Sequence, residues 1–313
     1  MDRPLLLFWI LFNLFAIGML TLDLRVFHRA GRVARSRESL AWSGVWIALA
    51  AAFALILYFW QGQQTTLEFV TGYVVELSLS IDNLFVFLVI FRFFSVKEEQ
   101  QHRVLFWGIL GALIMRGIFI GAGVGLIHRF HWVLYVFAIL LIYSGIRLCV
   151  MGEHKIDPTK NVLVKALRRF ITVTDEYHDG KFFIRGPETK PRLYATPLLV
   201  VLLVIETSDV LFAVDSVPAV LAITLNAFIV YTSNVFAILG LRSMYFAIAG
   251  LIKRFRYLHY GLAVVLMLVG LKMLTADFYR ASTLLTLGMV AGVLLVSIAA
   301  SVLLPPGKAE GEE

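Results

Sequence analysis

The chain has 313 residues, of which 60% are apolar and only 16% charged. A soluble domain of this length carries about 25% charged residues, so the composition argues against an ordinary soluble enzyme and for a membrane protein. The net charge of +7 is no sign of nucleic-acid binding, because the basic residues sit in the connections between apolar blocks, where the positive-inside rule places them. The single cysteine, Cys149, excludes an intrachain disulfide. The seven histidines (His28, His102, His128, His131, His154, His178 and His259) lie in loops or near span ends. They form no Cys/His cluster, which argues against a zinc, copper or iron–sulfur site.

In chain order, the first apolar block begins Met1-Asp2-Arg3-Pro4 and ends Leu22-Asp23-Leu24-Arg25. It lacks the small-residue pattern of a cleavable signal and reads as a retained span. The later blocks are also long enough for a hydrocarbon core of roughly 30 Å. They show no period-2 alternation, and open sheets cannot cross lipid with unpaired edges, so the fold class is all-α membrane. Nine transmembrane helices are expected, near 5–24, 41–60, 67–93, 104–127, 131–151, 195–222, 227–251, 257–275 and 283–304. Residues 305–313 form a short acidic tail, expected to be disordered.

Orientation follows from Lys and Arg. The connections 25–40, 92–103, 152–194 and 252–256 carry five, three, nine and three. Those on the other side are nearly bare: none in 61–66 or 223–226, Arg129 in 128–130 and Arg280 in 276–282. The basic connections are therefore expected in the cytoplasm, with the N-terminus outside and the C-terminus inside. Within the long connection, Val162 to Ile171, with Lys165, Arg168 and Arg169, reads either as a surface helix against anionic headgroups or as a plain basic loop.

An internal repeat sets the expected architecture. Glu76-Leu-Ser-Leu-Ser-Ile-Asp82-Asn83 lines up with Asp209-Val-Leu-Phe-Ala-Val-Asp215-Ser216. Arg116-Gly-Ile-Phe119 follows with Arg242-Ser-Met-Tyr245, then Gly145-Ile-Arg147-Leu148 with Gly270-Leu-Lys272-Met273. The Arg-to-Gly spacing is 29 residues in the first half and 28 in the second. The division is then 1–66 peripheral helices, 67–151 a first three-helix unit, 152–194 a basic cytoplasmic loop, 195–275 a second unit, and 276–313 a last helix and tail. The two units start from opposite sides, which makes the repeat inverted. That is the plan of many secondary transporters, with the site near the midplane where the halves meet.

Five acids fall inside spans: Glu76, Asp82, Glu206, Asp209 and Asp215. Two arginines, Arg116 and Arg242, join them. Each costs about 2.5–3.5 kcal/mol at a helix centre, so each needs a partner or a use. Ser78, Ser80, Asn83, Thr207, Ser208, Ser216, Ser233 and Asn234 cluster with them in sequence. Helical spacing puts Glu76, Ser80 and Asn83 on one face, and Asp209 with Ser216 likewise. Asp82 and Asp215 fall about 120° away on a straight helix. Pro218 gives a reason for a bend, since it cannot donate to the carbonyl of Val214. Pairing with two arginines accounts for two of five acids; a divalent cation or bound protons would relieve the others. The oxygen donors suit Mg²⁺, Ca²⁺ or Mn²⁺, and equally Na⁺ or H⁺. The glycines Gly108, Gly111 and Gly121-Ala-Gly123-Val-Gly125 read as close-packing positions, or as places where helices rock on one another.

These segments resemble the TerC/Alx family of bacterial integral membrane proteins, from about Glu68 to Leu304. The most specific are the Glu76–Asn83 motif, Glu206-Thr-Ser-Asp209 through Asp215-Ser-Val-Pro218-Ala219, and Ser233-Asn234 through Gly240-Leu-Arg242. Phe182-Phe183 to Tyr194-Ala195-Thr196-Pro197 looks like the Alx branch. The resemblance implies metal-ion homeostasis in the bacterial cytoplasmic membrane, with Mn²⁺ exported as the transported ion and no prosthetic group. It carries the family's acidic motif residues onto Glu76, Asp82, Asp209 and Asp215. Asn83 and Ser216 are then added oxygen ligands, supported by Glu206, Arg116, Arg242, Asn234, Ser80 and Pro218. Two other classes compete. A membrane adaptor would hand metal to protein partners through the 152–194 loop. An intramembrane aspartyl protease would pair Asp82 with Asp215, but the Gly-x-Gly-Asp pattern usual before one aspartate is missing from both.

Overall fold

The computed structural model describes residues 3–28, 36–151, 161–178, 180–185, 193–248, 257–278 and 281–303. The basic connection 252–256, Arg280 and the 305–313 tail lie outside these residues. The described chain is almost entirely helical: α1 Arg3–His28, α2 Ser36–Gln61, α3 Gln63–Phe93, α4 Glu98–Arg129, α5 Val133–Met151, α6 Val162–Phe170, α7 Pro197–Leu221, α8 Ala227–Ile248, α9 Leu258–Leu274 and α10 Thr283–Leu303.

Each of the nine expected spans falls on a helix. Seven of these (α2, α3, α4, α5, α7, α8 and α10) are long and apolar enough to cross a membrane. The apolar stretches of α1 and α9 are shorter, Leu6–Leu22 and Leu258–Leu274. A stretch of that length rises about 26 Å, slightly less than the hydrocarbon thickness. By contrast α3, with 31 residues, rises about 46 Å and reaches well past the core.

The enclosed centre is built from α3 and α8, which pack on each other. Within its most apolar stretch, 83% of α8 is buried, against 28% for α2 and 17% for α10. α3 also meets α7, and α4 packs on both α7 and α8. On one flank, Phe12, Phe53, Phe69, Phe228 and Phe236 interlock α1, α2, α3 and α8. Such rings add about 0.5–1.5 kcal/mol per pair beyond the area they bury.

The α5–α9 crossing is reciprocal. A Cβ at Gly145 would meet the Ala263 carbonyl oxygen at 2.7 Å and Met267 Cγ at 2.7 Å. A Cβ at Gly270 would meet the Ala138 carbonyl oxygen at 2.9 Å and Ile142 Cγ1 at 2.9 Å. These three positions recur at a constant offset of 125 residues: Gly145 to Gly270, Ala138 to Ala263, Ile142 to Met267. Glycine is needed at both because the two backbones touch there.

The connection between α5 and α7 is folded where it is described. Asn161 caps α6, its side chain accepting from the amides of Leu163 and Val164. A short antiparallel hairpin follows, β1 Phe183–Arg185 with β2 Leu193–Ala195, and Val173 bridges to Ala195. This cap is pinned to the α3–α4 end of the bundle. Tyr177 donates to the Phe94 carbonyl at 2.6 Å, and Arg103 donates to the Gly180 carbonyl at 2.8 Å. Burial raises the Tyr177 phenol above its ordinary value, so it stays a donor across the physiological range.

If the positive-inside reading holds, the cap is cytoplasmic and the α2–α3 connection is outside. In a Cys149→Ser background on intact cells, an impermeant thiol reagent should label Gln63→Cys and spare Asp175→Cys. The opposite pattern would invert the topology.

Candidate functional site

The intramembrane polar residues sort into two adjoining cavities joined at Asn83. The first is lined by Asn83 of α3, Gly108 and Arg116 of α4, Asp209 of α7 and apolar side chains that include Ile238 and Leu241 of α8. Arg116 is buried and forms an ion pair with Glu76. It also donates to Asn234 Oδ1 at 2.7 Å, while the Asn234 amide donates back to the Val230 carbonyl at 2.9 Å. One guanidinium thus ties α3 to α8 across the bundle centre. Both contacts leave a single guanidinium nitrogen, Nη1. Glu76 Oε2 has no hydrogen-bond partner among the described residues.

The second cavity is lined by Asp82 and Asn83 of α3, Ser144 of α5, Asp215 and Ser216 of α7, and apolar residues including Leu266 of α9. Ser144 donates to Asp215 Oδ1 at 2.7 Å. Ser216 Oγ is buried with no partner among the described residues. The two carboxylates are half-buried, and Asn83 and Ser216 beside them are enclosed.

Height along the helices explains the split. Asp209 and Ser216 share a face of α7, but seven residues set them about 10 Å apart along its axis. Asp82 and Asp215 share the second cavity, whereas Asp209 lines the first. Asp209 and Ser216, although on one face of α7, belong to different cavities. Among the described residues, no three His, Cys, Asp or Glu side chains come close enough to hold one metal ion. The four motif acids are brought together in two groups rather than around a single point.

The supporting residues are dispersed. Glu206 lies with its carboxyl group against the α-carbon of Gly111, on the path between α7 and α4. A side chain at Gly111 would take the carboxylate's place, so Glu206 would have to swing aside. Buried Arg242 reaches His102 Nδ1 at 3.4 Å, and the His102 ring stacks on Phe246 at 3.9 Å. That locus is at the α4 N-terminus, apart from the Arg116 network. Ser80 is buried, its hydroxyl without a described partner, and it lines neither cavity. Pro218 sits inside α7, which runs on to Leu221, and its carbonyl accepts from the Ala222 amide at 2.9 Å. Sequence reasoning missed Ser144. Its repeat counterpart is apolar Val269, so the repeat carried no signal; the only cue was a hydroxyl one position before a matched glycine.

Long apolar helices with carboxylates, an amide and hydroxyls buried between them define a multi-pass integral membrane protein. The chain belongs to the integral membrane protein TerC family, whose model matches residues 61–308. It is 46% identical to "Uncharacterized membrane protein STKORF319" of Myxococcus xanthus, over 94% of this chain and 92% of that one. It is 42% identical to "Putative membrane-bound redox modulator Alx" of Escherichia coli K12, over 95% of this chain and 94% of that one. A Rickettsia bellii membrane protein is 37% identical, over 94% and 97%. No solved structure matches the chain.

Proposed function

We propose that this protein is a secondary transporter of the bacterial cytoplasmic membrane that exports a divalent cation, Mn²⁺ above all. The observation that carries the reading is the second cavity, where two aspartates from α3 and α7 meet an amide and two hydroxyls. These are hard oxygen donors of the kind that Mn²⁺, Mg²⁺ and Ca²⁺ take. Manganese rather than another divalent ion rests on the family resemblance.

In this reading the cation is held at Asp82 and Asp215, with oxygens from Asn83, Ser144 and Ser216. The first cavity, with Asp209 beside Arg116 and Glu76, is the adjoining station, and Asn83 faces both. The reciprocal α5–α9 crossing and the matched motifs support an inverted repeat of two three-helix units. Rocking of one unit against the other would open the stations to the cytoplasm and then to the outside. Protons entering as the ion leaves would neutralise the emptied carboxylates. The sequence has no phosphate-binding P-loop, so a gradient or a partner protein would drive uphill movement. The name of the Alx relatives points to redox; here a lone cysteine, exposed Cys149, can form no intrachain disulfide.

The antiport step has its own test. With purified protein in liposomes enclosing a pH dye, adding Mn²⁺ outside should make the lumen more alkaline as protons leave. Mn²⁺ entry with a static lumen pH would remove proton exchange from the mechanism.

A further inference from the structure

The cap between α5 and α7 carries a surface that the transport reading does not use. On α6, Val164 is 5% exposed and, with Leu167 packed beside it, joins the cluster formed by Val104, Leu105, Leu198 and Val201. Those residues are the ends of α4 and α7. The helix therefore lies against the bundle at the level where α7 begins.

Only half of its apolar arc is covered. Leu163, Ala166 and Phe170, at i, i+3 and i+7, share a second stripe, and all three are exposed. Phe170 is 82% exposed and Leu163 46%. Consecutive residues turn about 100°, so this stripe adjoins the buried Val164–Leu167 stripe. Lys165 and Arg169 are exposed on the remaining side. An amphipathic helix with an apolar face and a basic face lies in the plane of a membrane interface. At 25 residues α7 rises about 37 Å, longer than the hydrocarbon core, which leaves room for its first turn, beside the basic cap, in the headgroup layer.

We propose that α6 is an interfacial anchor: Leu163, Ala166 and Phe170 enter the cytoplasmic leaflet, and Lys165 and Arg169 bind anionic lipid headgroups. The occupant is argued from position and charge. The apolar stripe is continuous with the side that packs on membrane-spanning helices, so the next material along it is lipid. The basic side matches the negative surface of an anionic leaflet, which attracts Lys and Arg placed near it. The anchor fixes the cap over the ends of α3, α4 and α7. It stands independently of which ion, if any, the cavities carry.

The test uses the full chain in nanodiscs with an environment-sensitive fluorophore on Ala166→Cys in a Cys149→Ser background. The expected result is blue-shifted emission, quenched by lipids spin-labelled near the headgroup. Quenching should be stronger with phosphatidylglycerol present than in phosphatidylcholine alone, and most of that difference should vanish at high salt. Phe170→Ser should lose most of the quenching, and because Phe170 packs on little of the bundle the fold should survive. Lys165→Gln with Arg169→Gln should lose only the dependence on anionic lipid. Water-like emission without lipid quenching in both compositions would overturn the proposal. Energy transfer between labels on two copies without lipid quenching would overturn it too, by giving the stripe to a second copy of the chain.

Discussion

Asp82→Asn and Asp215→Asn are each expected to abolish Mn²⁺-induced stabilisation while leaving the metal-free protein close to wild type. Asparagine is nearly isosteric with aspartate, and its carbonyl can still accept the hydrogen bond that Ser144 donates at position 215. Removing a negative charge also lowers the cost of burial in the bilayer. The lost quantity should be the ion's own contribution. By mass action, a ligand at a hundred times its dissociation constant stabilises a protein by about 2.7 kcal/mol. Thermal unfolding in detergent, with and without Mn²⁺, reads this directly. Wild type should shift upward with metal, and neither mutant should. A mutant retaining the full metal-induced shift would remove that aspartate from the site.

The second large effect belongs to Arg116 and has the opposite signature. Arg116→Ala strands Glu76, which is fully buried, and takes a donor from Asn234. Breaking a buried ion pair from one side costs about 3–5 kcal/mol, because the remaining charge is left uncompensated. Glu76→Gln in the Arg116→Ala background should recover part of that loss, since Glu76 is then neutral and only Asp209, in the same cavity, still lacks the guanidinium. The double-mutant cycle should therefore show strong coupling, against at most about 0.5 kcal/mol for independent sites. Additive losses, or an Arg116→Ala protein as stable as wild type, would show that the pair does not hold α3 and α4 together.

These contrasting signatures bear on what the sequence makes legible. The length and apolarity of the blocks locate the helices, because a membrane span is a local property of about 20 residues. The repeat motifs pick out Glu76, Asp82, Asp209 and Asp215, since an acid in an apolar block is conspicuous. The partition of these acids into two cavities is less visible. It depends on how far apart Asp209 and Asp215 stand along α7, and on which helix packs across from each. The partners are harder still. Arg116 with Asn234 and Arg242 with His102 are contacts across 118 and 140 residues of chain. No local pattern encodes them. The hairpin in the cap was unreadable because three-residue strands, Phe-Ile-Arg and Leu-Tyr-Ala, are too short to show alternation. Gly111 illustrates a different gap. Its spacing marks a packing residue, but the atoms packed against it are the Glu206 carboxyl.

The central claim is that the cavities conduct a divalent cation, and Mn²⁺ uptake into liposomes containing only this protein tests it most directly. Vesicles enclosing a Mn²⁺-sensitive dye should fill faster with wild-type protein than protein-free vesicles do. Vesicles with Asp82→Asn or Asp215→Asn, at matched insertion, should fall to the protein-free rate. A correctly inserted wild-type protein that moves no Mn²⁺, or mutants that move it at the wild-type rate, would contradict the account.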